Sequence, residues 1–242
     1  RLNTKIRAVR QENGVKILHT VNTGVEDQVA CDEILLSVGR VPNIDGLGLD
    51  VAGIAFDAAK GIKVDAHQRT ANPDVYAAGD ACMDLKFTNA AEASARVAVQ
   101  NALSSGSEVL DLMTMPWCTF CEPEIAHIGM HVWDARENTI PTKTFTVMMQ
   151  DVDRAITDSQ DLGFVKIHTE EGTGRILGAT IASSRASEMI NELAVIMHAG
   201  IGMEQLAKII HTYPTQSEAI MLAALAWERD KKAAKRGAAT SL

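Results

Sequence analysis

A mixed fold is predicted for this 242-residue chain: α/β in its first part and α+β in its second. Three observations carry the prediction. The opening is rich in strand-like segments separated by a turn signal. An apolar run, Val75 to Ala78, stops at Gly79-Asp80 and leads into a helical stretch. Beyond the Ser104-Ser105-Gly106-Ser107 linker, four strand-like segments precede three helical ones, which is the order of an α+β domain.

In chain order, Lys5–Val9 and Val15–Leu18 flank Glu12-Asn13-Gly14, a hairpin signal. The continuous apolar run Ile34–Val38 predicts a strand buried on both faces. Residues 43–74 read as loops and short strands. Val75–Ala78 predicts a short buried strand, and Thr88 or Asn89 can cap a helix from Ala90 to about Leu103. Asn89 with Glu92 has capping-box spacing. After the linker, strands are expected over Trp117–Phe120, Thr142–Met148, Phe164–Thr169 and Arg175–Ala182. Helices follow over Ala186–Ala199, closed by Gly200, then Met203–Ile210, then Ser217 past Trp227. Met189, Ile190, Leu193, Ile196 and Met197 share one face of the first of these. No internal repeat and no low-complexity tract interrupts the pattern.

Composition excludes several classes. At 46% apolar and 22% charged residues the chain has ordinary globular makeup. A net charge of −8 argues against a nucleic-acid partner, which needs a basic face. No window approaches the roughly 18 apolar residues of a membrane span. Four cysteines in this length make no disulfide scaffold, and a cytoplasmic home is expected.

Gly79-Asp80 is the organising stretch. Glycine lets backbone pass close to a ligand, and a carboxylate at a strand end can accept hydrogen bonds from sugar-like hydroxyls. A plain Gly-Asp turn accounts for the same residues without a ligand. Cys118-Thr119-Phe120-Cys121 suggests a redox pair or half a zinc site. On a strand, however, residues three apart face opposite ways about 10 Å apart. No second pair supplies further ligands, so two buried thiols are expected. Gly46-Leu47-Gly48 lacks the strand-to-helix context of a dinucleotide fingerprint. Thr215 and Glu218 have capping-box spacing, with Tyr213 before Pro214 and His211 two residues earlier. His19, His67, His127, His131, His168 and His198 are scattered and read as structural or exposed.

Thr70, Asn72-Pro73-Asp74 and Val75-Tyr76-Ala77-Ala78-Gly79-Asp80 together resemble the flavin-binding motif of the FAD-dependent pyridine nucleotide–disulfide oxidoreductases. The resemblance runs from Ser37-Val38-Gly39-Arg40-Val41-Pro42-Asn43 to His211–Glu218 and covers nearly the whole chain. It implies FAD and NAD(P)H as cofactors, a small-molecule substrate and a homodimer. It implies that Asp80, beside Gly79, binds the ribityl chain, that the Ala90 amide faces the flavin pyrimidine, and that Gly39 lies near the nicotinamide nucleotide. It further implies residues 1–38 as the end of an NAD(P)-binding domain, 39–107 as part of an FAD-binding domain and 108–242 as a dimerisation domain. The chain is then expected to be a fragment, inactive alone, because the redox disulfide and glycine-rich loops of the family lie upstream.

The family's thiol-reducing members carry a histidine directly before Pro-Thr, oriented by the glutamate that Glu218 matches. Here Tyr213 holds that place, with His211 nearby. A phenol of ordinary pKa near 10 is a poor base at neutral pH, so Tyr213, His211 and Glu218 are the catalytic candidates and the electron acceptor stays open. A non-catalytic dimerisation module and a flavin transhydrogenase are the alternatives.

Overall fold

The computed structural model describes residues 1–104, 106–111 and 114–240, with side chains to Arg236. Ser105, in the expected linker, lies outside the described residues. The chain divides into two units, Arg1–Pro42 and Asn43–Leu242.

The first unit is an antiparallel meander of β1 (Thr4–Glu12), β2 (Val15–Asn22) and β3 (Val25–Cys31). Asn13-Gly14 joins β1 to β2 with φ of 49° and 86°, the positive pair that a tight hairpin turn matching strand twist requires. The expected buried strand Ile34–Val38 does not form. Leu35, Leu36 and Val38 are exposed, and no strand pairs with them. A strand buried on both faces needs neighbours on both sides. The meander offers none, and the more polar β3 takes the place beside β2.

The second unit begins with loops packed on Ile44, Leu49, Ile54 and Ile62, with the two-residue strands β4 (Phe56–Asp57) and β5 (Gly61–Ile62). Val75–Ala78 is not the predicted buried strand. It is half-buried and paired only by the single bridge Arg69–Tyr76, because Asn72-Pro73-Asp74 turns the chain back on itself. Gly79–Ala81 is a short 3-10 turn, and α1 (Thr88–Leu103) follows.

The remaining chain forms β6 (Trp117–Thr119), β7 (Glu124–Gly129), α2 (Val132–Glu137), β8 (Thr142–Met148), α3 (Asp153–Thr157), β9 (Phe164–Glu170), β10 (Ile176–Ser183), α4 (Ala186–His198), α5 (Met203–Leu206) and α6 (Glu218–Thr240). Strands β8, β9 and β10 and helix α4 lie within a residue of where they were expected. Strand β7 and helices α2 and α3 were not anticipated, and α5 is shorter than expected.

The five strands pair antiparallel in the order β6-β7-β10-β9-β8. Their register sorts side chains into two faces. Ala126, Ile181, Val165 and Val147 align on one row and Ile128, Ala179, Ile167 and Phe145 on the next. This apolar face is covered by α4 and α6, which insert Leu193, Ile196, Ile220 and Ala223 into one core. Burying each such aliphatic side chain contributes about 1.5–3 kcal/mol. The opposite face carries the row Trp117, His127, Thr180, Lys166 and Thr146. Among the described residues no helix is long and apolar enough to cross a membrane.

Candidate functional site

Gly79 stands at a tight crossing. Its φ of +68° is a left-handed conformation, and a Cβ there would lie 3.1 Å from the Cβ of Ala91 in the first turn of α1. Its amide donates to Ser94 Oγ at 2.9 Å, and that hydroxyl donates in turn to Ala91 O at 2.9 Å. The turn is therefore fixed to the helix beside it, and Asp80, next in the chain, is half-buried. Ala90 is fully buried.

The capping box expected at Asn89 and Glu92 is absent. The N-cap is Phe87, with no capping side chain. Asn89 Nδ2 instead donates to Pro116 O at 3.1 Å, and Glu92 pairs with Arg96. The first-turn amides of α1 are thus left without a side-chain acceptor. They carry the positive end of the helix dipole.

The second predicted box is absent as well. Thr215 Oγ1 donates upstream to Thr212 O at 2.8 Å, and α6 starts at Glu218 itself rather than two residues earlier. Glu218 Oε2 is buried with no hydrogen-bond partner. Buried carboxyl oxygens are rarely left so, because the desolvation is uncompensated.

Tyr213 and His211 are turned to different partners. The Tyr213 hydroxyl donates to Asp153 Oδ2 at 2.6 Å. That bond, with the negative charge of Asp153 and of Glu218, holds the phenol above its usual pKa. His211 Nε2 lies 2.6 Å from Glu192 Oε1 on α4, and Nδ1 lies 3.1 Å from Ile209 O. The structure therefore brings Tyr213 near Glu218 but ties His211 elsewhere.

All four cysteines are free. Cys118 is half-buried, and burial pushes its thiol up. Cys121 is exposed, which corrects the expectation of two buried thiols. It lies past the end of β6, where the chain leaves the sheet. Burial also pushes Cys82 up to about 11, so it is no ready nucleophile. Gly39, in the first unit, has φ of +107° with open space where a Cβ would stand. Among the described residues no cluster of His, Cys, Asp and Glu could hold a metal ion.

The model of the pyridine nucleotide-disulphide oxidoreductases matches residues 1–102, and that of their dimerisation domain matches residues 115–224. The chain belongs to this family. A mercuric reductase of Streptomyces lividans is 34% identical over 229 residues, 94% of this chain and 48% of that protein. A dihydrolipoyl dehydrogenase of Staphylococcus aureus is 34% identical over 217 residues, 90% of this chain and 46% of that protein. The crystal structure of LpdA from Mycobacterium tuberculosis superposes with a TM-score of 0.85 at 29% identity, covering 93% of this chain and 48% of its own. The chain spans about half the length of the curated relatives it matches.

Within this pyridine nucleotide-disulphide oxidoreductase fold, sequence reasoning missed the partners rather than the candidates. Ser94, Asp153 and Glu192 each fix a candidate residue. Asp153 lies 60 residues from Tyr213 on a segment given no predicted element, so no spacing announced it. Gln216 was missed too: 3% exposed, it accepts from Ser183 Oγ at 3.3 Å and anchors the start of α6 to the end of β10.

Proposed function

We propose that this chain forms part of a homodimeric flavoprotein reductase, one that passes electrons from NAD(P)H through FAD and a redox disulfide to a dithiol, disulfide or metal-ion substrate. The carrying observation is the crossing at Gly79. A residue without a Cβ, an amide held by Ser94 and an uncapped helix start together leave first-turn backbone amides open to an anionic ring edge, with the half-buried Asp80 next in the chain to Gly79.

The residues present fit FAD. When bound, FAD supplies two-electron acceptance and transfer. Asp80 accepts hydrogen bonds from ribityl hydroxyls. The Ala90 amide and its neighbours in the first turn of α1 stabilise negative charge on the nearby edge of the ring. Gly39 lets backbone approach the nicotinamide nucleotide. Tyr213 acts as a hydrogen-bond donor rather than a base, because Asp153 favours the protonated phenol. The unpartnered oxygen of Glu218 accepts a donor supplied across the dimer interface. His211 positions the segment through Glu192.

We read residues 1–38 as the end of an NAD(P)-binding domain, 39–107 as part of an FAD-binding domain and 108–242 as the dimerisation domain; the break near residue 107 falls between the two matched ranges, 1–102 and 115–224. Four free thiols favour a reducing, cytoplasmic compartment.

The test is flavin retention. In the flavin-bound protein, Asp80→Ala is expected to weaken FAD binding about tenfold, matching the roughly 1.5 kcal/mol of a charge-assisted hydrogen bond. Visible absorbance before and after dialysis reads it. Equal retention contradicts the assignment.

A further inference from the structure

We propose that the open face of the five-stranded sheet carries a binding groove for a small planar aromatic anion, an arene bearing one carboxylate. This face is opposite the one that α4 and α6 cover, and the groove has a volume of about 640 Å³. That is within the range of small-molecule sites.

The face is built unlike an ordinary solvated sheet surface. Two imidazoles lie on it almost fully buried: His127 is 2% exposed and His168 4%. What covers His127 is aromatic. The ring of His131 stacks on His127 at 3.6 Å, Trp133 stacks on His131 at 4.3 Å, and Trp117 tilts against His127 at 5.5 Å. Asp134 accepts the His131 amide at 2.8 Å and so fixes the start of α2, which carries Trp133. Trp133 itself is 61% exposed, leaving a ring face open to a further planar group.

His127 is saturated. Its Nε2 donates to Gly129 O at 3.0 Å and its Nδ1 accepts from Thr180 Oγ1 at 2.9 Å. His168 is not. Its Nδ1 lies 2.8 Å from Thr144 Oγ1, and among the described residues its Nε2 has no hydrogen-bond partner although the ring lines the groove. In the tautomer in which Thr144 donates to Nδ1, Nε2–H faces the groove as a donor. The groove's one cation, Lys166, sits 4.8 Å above the Phe164 ring and makes no ion pair among the described residues. No carboxylate lines the groove.

A ring nitrogen of His168 at the groove, an ammonium over the Phe164 ring with no ion pair among the described residues, and an aromatic platform together favour one ligand chemistry. The arene stacks on Trp133, and its carboxylate accepts from His168 Nε2–H and Lys166. A neutral apolar occupant would gain nothing from the Lys166 charge, and among the described residues no cluster is suited to a metal.

Calorimetric titration of the 242-residue chain with 1-naphthoate tests this, with 1-naphthalenemethanol and cyclohexanecarboxylate as controls. Saturable binding is expected at one site per chain, about tenfold tighter for naphthoate than for either control. Trp133→Ala and Lys166→Gln should each weaken naphthoate about three- to tenfold, the scale of a lost ring contact or cation. Lys166→Gln should leave the neutral alcohol unchanged, and the His168 ring resonances should shift on binding. Both substituted side chains are at the surface, and circular dichroism checks that each variant keeps its fold. No saturable binding, equal affinity for the three probes, or variants that bind naphthoate normally would overturn the proposal.

Discussion

The three-stranded meander and the five-stranded sheet are both antiparallel, yet only one of them makes a core. In the meander Ile6, Val9 and Val25 are each more than half exposed, and Thr20 is its one buried residue. In the larger sheet the inward rows are closed over by α4 and α6, and Ile128, Val165, Ile167, Ala179 and Ile181 are fully buried. Alternation along a strand supplies an apolar face in both cases. Burial comes only where a helix covers that face, so stability is concentrated in the second half of the chain.

The largest expected effect tests that contrast directly. Leu193→Ala, in the fully buried face of α4, should cost about 2–5 kcal/mol in denaturant unfolding of the second unit. Val9→Ala, on the exposed meander, should stay within about 0.5 kcal/mol. Equal losses would mean that the meander is no less buried than the larger sheet.

A second contrast is in pH. Burial drives His127 and His168 down to about 4, from an ordinary value near 6.5. Because the folded pKa lies below the unfolded one, the unfolded chain binds protons first as the solution is acidified. Stability from these residues is complete above about pH 6.5 and is lost as pH falls toward 4, on the order of 2–3 kcal/mol per histidine. Chemical denaturation across that window should show the loss, and His168→Gln should reduce it. A profile unchanged by the substitution would refute the cause.

Smaller again is the effect of Gly79→Ala, expected at about 1–2 kcal/mol from the left-handed backbone and the tight approach to Ala91. It should also weaken flavin retention beyond what the stability loss explains. Unaltered flavin binding would reduce this glycine to a turn former.

Where the sequence spoke, it spoke through periodicity. The strand Thr142–Met148 and the apolar stripe of α4 were readable because one face must be buried. The run Ile34–Val38 misled for the same reason: apolar content signals burial but does not supply the neighbours that provide it. Both capping boxes failed because their hydroxyl and amide groups found other acceptors, Thr212 O for Thr215 and Pro116 O for Asn89. Candidates Asp80, Tyr213 and His211 could be named from the order of motifs. Their partners, Ser94, Asp153 and Glu192, could not, since contacts made across the fold leave no mark on local spacing.

The most direct measurement is a crystal structure of the flavin-bound protein, read at one distance. The account predicts an Asp80 carboxylate oxygen within hydrogen-bond reach, about 2.5–3.2 Å, of a ribityl hydroxyl. A carboxylate more than about 4 Å from every flavin hydroxyl, with the cofactor held elsewhere, would contradict it.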